Sequence, residues 1–101
     1  LFAGLLDAGA HCGSAESILV AESLAAFIER ALAGLDDAQM QAVLGTEFGG
    51  LGESLAELSV RSDDGRWLRL AGRFHHRAVL DPLIDGRDEL AFLHANTQIP
   101  K

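Results

Sequence analysis

The chain has 101 residues, 49% of them apolar and 23% charged, and this length accommodates one domain with a single modest core. Fifteen acidic residues against eight basic ones give a net charge of −7, and the sequence contains no cluster of Lys and Arg. This charge argues against nucleic acid as a partner. No apolar run is long enough to span a membrane. The single cysteine, Cys12, cannot form an internal disulfide and leaves the cellular compartment open.

Apolar residues follow helical spacing along nearly the whole chain, and no stretch alternates strictly or is rich in β-branched residues. The pattern predicts an all-α fold. The opening stretch, LFAGLLDAGA, has no initiator Met, no cap and no charged segment of a signal peptide, and it is typical of the middle of a helix. We therefore interpret residues 1–101 as part of a domain that is truncated at both ends.

Two helices are predicted at the start of the chain. The first ends at Gly13, and the second, capped by Ser14, extends from Ala15 to Ala33. The stripe expected to be buried on the first helix consists of Leu1, Leu5 and Ala8. On the second helix it consists of Ala21, Leu24, Phe27 or Ile28, and Ala31.

Three further helices are predicted before Pro82. Asp36 is the expected cap of a short third helix that ends at Gly45, and a fourth helix follows the next pair of glycines. The fifth helix, capped by Asp64, is expected to continue until Pro82 ends it. The buried faces of the fourth and fifth helices are expected to be Leu51, Leu55 and Leu58, and Trp67, Leu70 or Ala71, Phe74 and Ala78. Short turns between helices predict antiparallel helical hairpins.

The fifth predicted helix also carries two adjacent histidines, His75 and His76. On a helix they point about 100° apart and lack a ligand four residues away, which argues against a metal site. Arg77 and Asp81 have the spacing of an ion pair along one helix.

The chain ends on HANTQIPK, where neutral side chains that both donate and accept hydrogen bonds are concentrated. Pro100 fits the first turn of a helix that begins near Thr97, which places His94 to Thr97 on the loop that enters it. His94, Asn96 and Gln98, together with Thr97, suit the hydroxyl groups of a carbohydrate. The alternative is that Asn96 or Thr97 only caps the helix and the other side chains are solvated.

Two other candidate sites are weighed against structural roles. Glu47 precedes Gly49 and Gly50, which permit close backbone approach, but Glu53 would lie about 240° around a helix from it, so the two carboxylates are not an evident acid and base pair. Glu47 is also compatible with a surface or capping role. Cys12 beside His11 is typical of a small buried apolar side chain and not of a nucleophile.

Four blocks occur in the order LFAGLLDAGAHCGS, EFGGLGESLAEL, DDGRWLRLAGRFHHRAVLDPL and LHANTQIPK. Together they resemble the glycoside hydrolases related to β-L-arabinofuranosidase, families 127 and 146. The resemblance implies that the helical hairpins are part of an (α/α)6 toroid, of which this chain covers less than half. It also implies a retaining enzyme that releases β-L-arabinofuranosyl units from plant glycans and glycoproteins.

The resemblance also implies which residues act on the sugar. In these enzymes the nucleophile is a cysteine thiolate at a zinc site, and another glutamate is the acid/base; all of these groups follow the HANTQIPK block. No catalytic residue or metal ligand is therefore expected in this chain, and Cys12 does not match the nucleophile. The substrate-binding residues that the matching blocks imply are His94, Asn96, Gln98, Glu47 and Phe48.

Two departures from the family pattern affect the expected pocket. The family commonly has Met and Asn where this chain has Leu51 and Gly52, so a polar contact to the sugar is expected to be missing. A small residue is common where this chain has Phe92.

Two alternatives to a pocket segment belong to other classes of protein. The first is a non-catalytic helical-hairpin module that binds a protein partner through an apolar groove. The second is a segment that self-associates, because the faces that neighbouring hairpins would cover must be buried.

Overall fold

The computed structural model describes residues 1–46 and 49–101, and in this part of the chain it contains helices and no strand. The described helices are α1 (Phe2–Cys12), α2 (Ala15–Leu32), α3 (Asp37–Leu44), α4 (Leu51–Ser62), α5 (Gly65–Gly72), α6 (Arg77–Ile84) and α7 (Ala95–Gln98). The predicted all-α fold is confirmed, whereas membership of an (α/α)6 toroid stays a prediction. None of the helices in the described ranges has the length and apolar character needed to cross a membrane.

The end of α1 and the starts of α2, α3 and α5 lie at the capping residues that the sequence predicts. Gly13, with φ 66°, ends α1, and the Ser14 side chain accepts a hydrogen bond of 3.2 Å from the backbone N–H of Ser17. Asp36 and Gln39 form a reciprocal capping box at the start of α3. Asp64 caps α5 through the N–H of the second residue of that helix.

Helices α1 and α2 form one packed pair and α4 and α5 a second, and the two pairs meet at the core. The buried core residues are Phe2, Leu6, Ala21, Ala25, Leu55, Leu58, Trp67 and Leu70. Helices α1 and α2 approach each other closely at Gly9 of α1, where an added Cβ would lie 2.7 Å from Ile18 Cδ1 of α2. The small side chains of α2 at the core fit this close packing.

The buried stripe predicted for α1 is wrong. Leu1 precedes the first turn and is 92% exposed, Ala8 is only partly buried, and the core receives Phe2 and Leu6, one residue further along. Leu5, which the stripe also included, packs against the edge of the core.

On α2 the prediction is correct for Ala21, which is fully buried. Of the two residues between which the prediction left the next position open, Phe27 and Ile28, only Ile28 meets the core. Ile28 packs at the edge of the core, whereas Phe27 is 60% exposed, and Ala31 is exposed as well. The face of α2 that contacts the core therefore contains Ala21, Ala25 and Ile28, at spacings of four and three residues.

The long fifth helix of the prediction is two helices. α5 ends at Gly72, and α6 begins at Arg77. The side chain of Gln41 bridges the break, because its Nε2 donates to His75 O at 2.9 Å and its Oε1 accepts from the Arg77 N–H at 3.0 Å. Arg73, at the end of α5, also donates from its guanidinium to backbone carbonyls at the end of α2.

The break also changes the roles predicted for the residues that follow it. Pro82 lies inside α6 and does not end the helix, and Ala78 is exposed. The predicted pair of Arg77 with Asp81 is wrong. Arg77 instead binds Asp37 at 2.7 Å, and Asp81 binds His75 at 2.6 Å, because the bend turns the two side chains toward different neighbours.

The last helix begins two residues earlier than predicted. His94 is the residue before α7, and the backbone N–H of Thr97 donates to His94 O at 3.1 Å. Asn96 and Thr97 therefore lie within α7 and not on the entering loop. Pro100 follows the helix, where its missing N–H also interrupts no helical hydrogen bond.

Candidate functional site

The two segments singled out in the sequence meet in the fold. The glycine turn at Gly49 and Gly50 lies against Pro100, since a Cβ added at Gly50 would be 3.7 Å from Pro100 O. The C-terminal segment, residues 94–101, is thereby held beside the start of α4. Glu47 and Phe48, the two predicted pocket residues that precede the turn, lie outside the described residues.

Lys101 links the C-terminal segment to the start of α6. Its Nζ donates a hydrogen bond of 3.0 Å to His76 Nδ1. Burial lowers the pKa of His76, and the neighbouring Lys101 charge lowers it further; burial also lowers the pKa of Lys101. A neutral imidazole is the form that accepts from an ammonium group, so the low pKa of His76 suits the contact.

Two cavities adjoin the C-terminal segment, and Lys101 and Leu80 line both of them. The larger cavity, of about 580 Å³, lies between α6 and the C-terminal segment and is lined mainly by leucines together with Gln98. The smaller, of about 340 Å³, lies beside α4 and α5, and its polar groups include Glu53 and His75. A cavity with an apolar wall and a few polar groups is the usual form of a small-molecule site.

Gln98 is the predicted site residue that lines the larger cavity. Its Nε2 donates to Thr97 Oγ1 at 3.0 Å, while its Oε1 is buried and accepts no hydrogen bond from the described residues. A buried acceptor without a partner is uncommon in a folded protein and is costly to leave unpaired. Because this atom has almost no accessible surface, a donor on a ligand reaches it only when the Gln98 side chain rotates toward the cavity.

His94 and Asn96 occupy a different environment from Gln98. Both side chains are exposed, and neither lines the two cavities. The structure thus brings Gln98 to a cavity and places the other two at the surface of the same segment. Their imidazole and amide groups face solvent and keep their hydrogen-bonding capacity.

Three residues at the site were not predicted there. Lys101 is the last residue of the HANTQIPK block, which was the signal available for it. The sequence suggests Glu53 only as a possible acid/base partner of Glu47, and His75 only as a possible metal ligand. The smaller cavity unites Glu53 and His75 with Lys101, which gives it an acceptor, an imidazole and a cation.

The zinc site that the family resemblance implies was tested against the described residues. Among residues 1–46 and 49–101, no group of three or more His, Cys, Asp or Glu side chains is placed to hold a metal ion. Cys12 is exposed at the end of α1. The described residues do not fit a zinc site of cysteines and a glutamate, so no step of the reaction is assigned to a metal held by them.

The comparison with protein families gives the class of the molecule. The family model described as "Beta-L-arabinofuranosidase, GH127 catalytic domain" matches residues 1–101. The family is thus one of glycoside hydrolases. The chain belongs to this GH127 family, and the resemblance of the four sequence blocks is confirmed. Membership implies a carbohydrate substrate. A search of curated proteins found no match.

Proposed function

We propose that the chain is part of a retaining glycoside hydrolase that releases β-L-arabinofuranosyl units from plant glycans or glycoproteins, and that it supplies one side of the sugar pocket. Membership of the GH127 family supports the glycoside hydrolase class. The observation that carries the pocket role is that Gln98, whose buried Oε1 has no partner among the described residues, lines the cavity beside the C-terminal segment.

The two cavities supply groups that complement a furanoside. A sugar hydroxyl that donates to Gln98 Oε1 would satisfy an acceptor whose isolation costs about 1–3 kcal/mol. Lys101 adds a donor between the cavities, and the leucines of the larger cavity bury the apolar faces of a sugar ring. Binding and orientation are thus the roles of this part of the chain.

The remaining predicted residues complete the proposed pocket from its edge. His94 and Asn96 present free polar groups on the segment that carries Gln98. Glu47 and Phe48 precede the glycine turn that lies against Pro100, and we propose them as a wall of the same pocket. Gly52 lines the smaller cavity, where the Asn common in the family would add a polar group.

We propose that the chemical step belongs to segments that follow the HANTQIPK block in a longer protein. The zinc ion, its ligands, the cysteine nucleophile and the acid/base glutamate are assigned to those segments. Zinc would keep the thiol ionised for attack on the anomeric carbon. The 101 residues alone are then expected to lack activity.

The reaction is tested with the longer protein and methyl β-L-arabinofuranoside, followed by proton NMR of the anomeric signals. The first product is expected to be β-L-arabinofuranose, because two displacements retain the configuration. Methyl α-L-arabinofuranoside is the matched control and is expected to remain intact. Release of the α-anomer first, or equal cleavage of both glycosides, would rule out the proposed reaction.

The pocket role of Gln98 is tested with Gln98→Leu, which removes the unpaired acceptor and keeps a similar volume. We expect the free energy of unfolding to rise by about 1 kcal/mol, because a buried unsatisfied group is lost. In the longer protein, kcat/KM should fall about tenfold, because the sugar loses its partner. A more stable variant with unchanged kcat/KM would show that Gln98 does not bind the sugar.

A further inference from the structure

A third cavity, of about 360 Å³, lies away from the C-terminal segment, between the end of α2 and α5. Its polar lining consists of Glu29, Arg30, Arg69 and Arg73. Arg66 lies beside it and binds Glu29, with Arg66 Nε 2.7 Å from Glu29 Oε2. Four of the eight basic residues of the chain are therefore gathered at one place. Three of these arginines lie within residues 66–73, on α5 and at its end, so the expectation of no basic cluster is wrong there, and the fold adds Arg30 from α2.

Two of the four guanidinium groups already have partners. Arg66 binds the carboxylate of Glu29, and this hydrogen bond is the main reason that the pKa of Glu29 is lowered. Glu29 is therefore charged and occupied at neutral pH. Arg73 donates to Leu32 O and Leu35 O, each at 2.7 Å, and so caps the end of α2.

The other two guanidinium groups, of Arg30 and Arg69, make no hydrogen bond or ion pair with any residue in the ranges 1–46 and 49–101. Both are close enough to Glu29 for their charges to lower its pKa. Three positive groups, those of Arg30, Arg66 and Arg69, thus act on one carboxylate that Arg66 already engages. Glu29 and Asp64 offset part of the positive charge of these arginines, and an external anion at Arg30 and Arg69 would offset more of it.

We propose that Arg30 and Arg69 bind an oxyanion in this cavity, either the carboxylate of an acidic sugar or a phosphate group. A guanidinium presents parallel N–H donors that match both kinds of oxyanion. Arg73 fixes the end of α2 behind them, and Ala33 and Leu70 form an apolar wall that lowers local hydration. The site is separate from the proposed sugar pocket and does not depend on the proposed glycosidase function.

The test is an NMR titration of the ¹⁵N-labelled 101-residue chain, observed at the arginine Nε–Hε signals. Sodium glucuronate and inorganic phosphate are the two probes, and L-arabinose is the neutral comparison. Saturable shifts are expected at Arg30 and Arg69 with at least one anionic probe. The double variant Arg30→Gln with Arg69→Gln should weaken binding at least about tenfold, the loss of one charge-assisted pair or more. Arg73 is left in place because it caps α2.

A matched double variant, Arg61→Gln with Arg87→Gln, changes the net charge equally and removes arginines that are exposed elsewhere. It should bind the probes within about twofold of the unchanged chain, because only distant charge is lost. Tighter binding of glucuronate identifies an acidic sugar as the ligand class, and tighter binding of phosphate identifies a phosphate. Linear shifts without saturation, or equal weakening in both double variants, would overturn the site. Circular dichroism verifies that each variant keeps its helices.

Discussion

Phe92 is the residue at which local backbone geometry conflicts most clearly with the side chain. Its φ is +67°, in the left-handed region, and its side chain is fully exposed. A bulky residue pays about 1–2 kcal/mol in this region, and no buried contact of the side chain offsets the cost. The conflict occurs two residues before His94, at the position where the family commonly has a small residue.

The strain at Phe92 predicts a stabilising substitution. Phe92→Gly should raise the free energy of unfolding by about 1 kcal/mol, because glycine adopts positive φ without steric cost. Leu93→Gly is the matched control at the next residue, where φ is not positive. It should lower stability by about 1 kcal/mol, since flexibility is added and no strain is relieved. Urea denaturation measures both, and a loss of similar size in both variants would contradict the strain.

His76 is the residue expected to make stability depend on pH near neutrality. Its pKa in the folded chain lies below the ordinary 6.5 because of burial and the charge of Lys101. The unfolded state therefore binds the proton first as the pH falls. The stability that neutral His76 contributes is present above pH 6.5 and is lost as the pH falls from there toward the lower folded pKa.

The variant His76→Gln keeps a side-chain acceptor for Lys101 but does not titrate. The free energy of unfolding of the unchanged chain should fall more steeply between about pH 7 and pH 5 than that of His76→Gln. His11→Gln removes an exposed histidine and should keep the steep fall. Equal slopes for the unchanged chain and His76→Gln would show that His76 titrates alike in the folded and unfolded states.

At the scale of single helices, the end of α1 and the starts of α2, α3 and α5 could be predicted because their signals are local. Ser14, Asp36 and Asp64 are capping residues that bond to the backbone within three positions. The break between α5 and α6 could not be predicted in the same way. The break is stabilised by Gln41, which bridges it, and by the carbonyls at the end of α2 that Arg73 binds. In each of these hydrogen bonds the two partners are 34–41 residues apart along the chain.

The packing of α1 against α2 predicts opposite effects for two glycines of one helix. A Cβ at Gly4 meets nothing within 4 Å, so Gly4→Ala should raise the free energy of unfolding by up to about 1 kcal/mol through helix propensity. At Gly9 the added Cβ would overlap Ile18, so Gly9→Ala should lower it by about 1 kcal/mol. Thermal denaturation compares them, and equal stabilisation by both would show that α1 and α2 are not in close contact.

As a whole, the molecule is more extended than a compact domain of its length. Its radius of gyration is 14.7 Å, against about 13 Å for a typical domain of 100 residues. Large apolar side chains such as Leu19, Phe27 and Ile84 are exposed. This surface agrees with the predicted burial of helix faces by further helices, and self-association of the 101-residue chain stays a prediction as well.

The residues of the candidate site are harder to predict from the sequence than the helix ends are, because the whole fold brings them together. Its location could be predicted in part, because the blocks that contain Gly50 and Pro100 were singled out and they lie in contact. Which side chains enter a cavity could not be predicted, since the early start of α7 turns Gln98 inward and leaves His94 and Asn96 exposed. The contribution of Lys101 arises from α6, which is distant in sequence.

The most direct test of the proposed pocket is the kcat/KM of the longer protein for a β-L-arabinofuranoside after His94→Ala, with His11→Ala as the control. We expect a fall of about 10- to 100-fold for His94→Ala, because a hydrogen bond to the reacting sugar is lost, with the helix content unchanged. His11 is exposed on α1, and its removal should change kcat/KM less than about twofold. An unchanged kcat/KM in His94→Ala would contradict the proposal that His94 binds the sugar at the edge of the pocket.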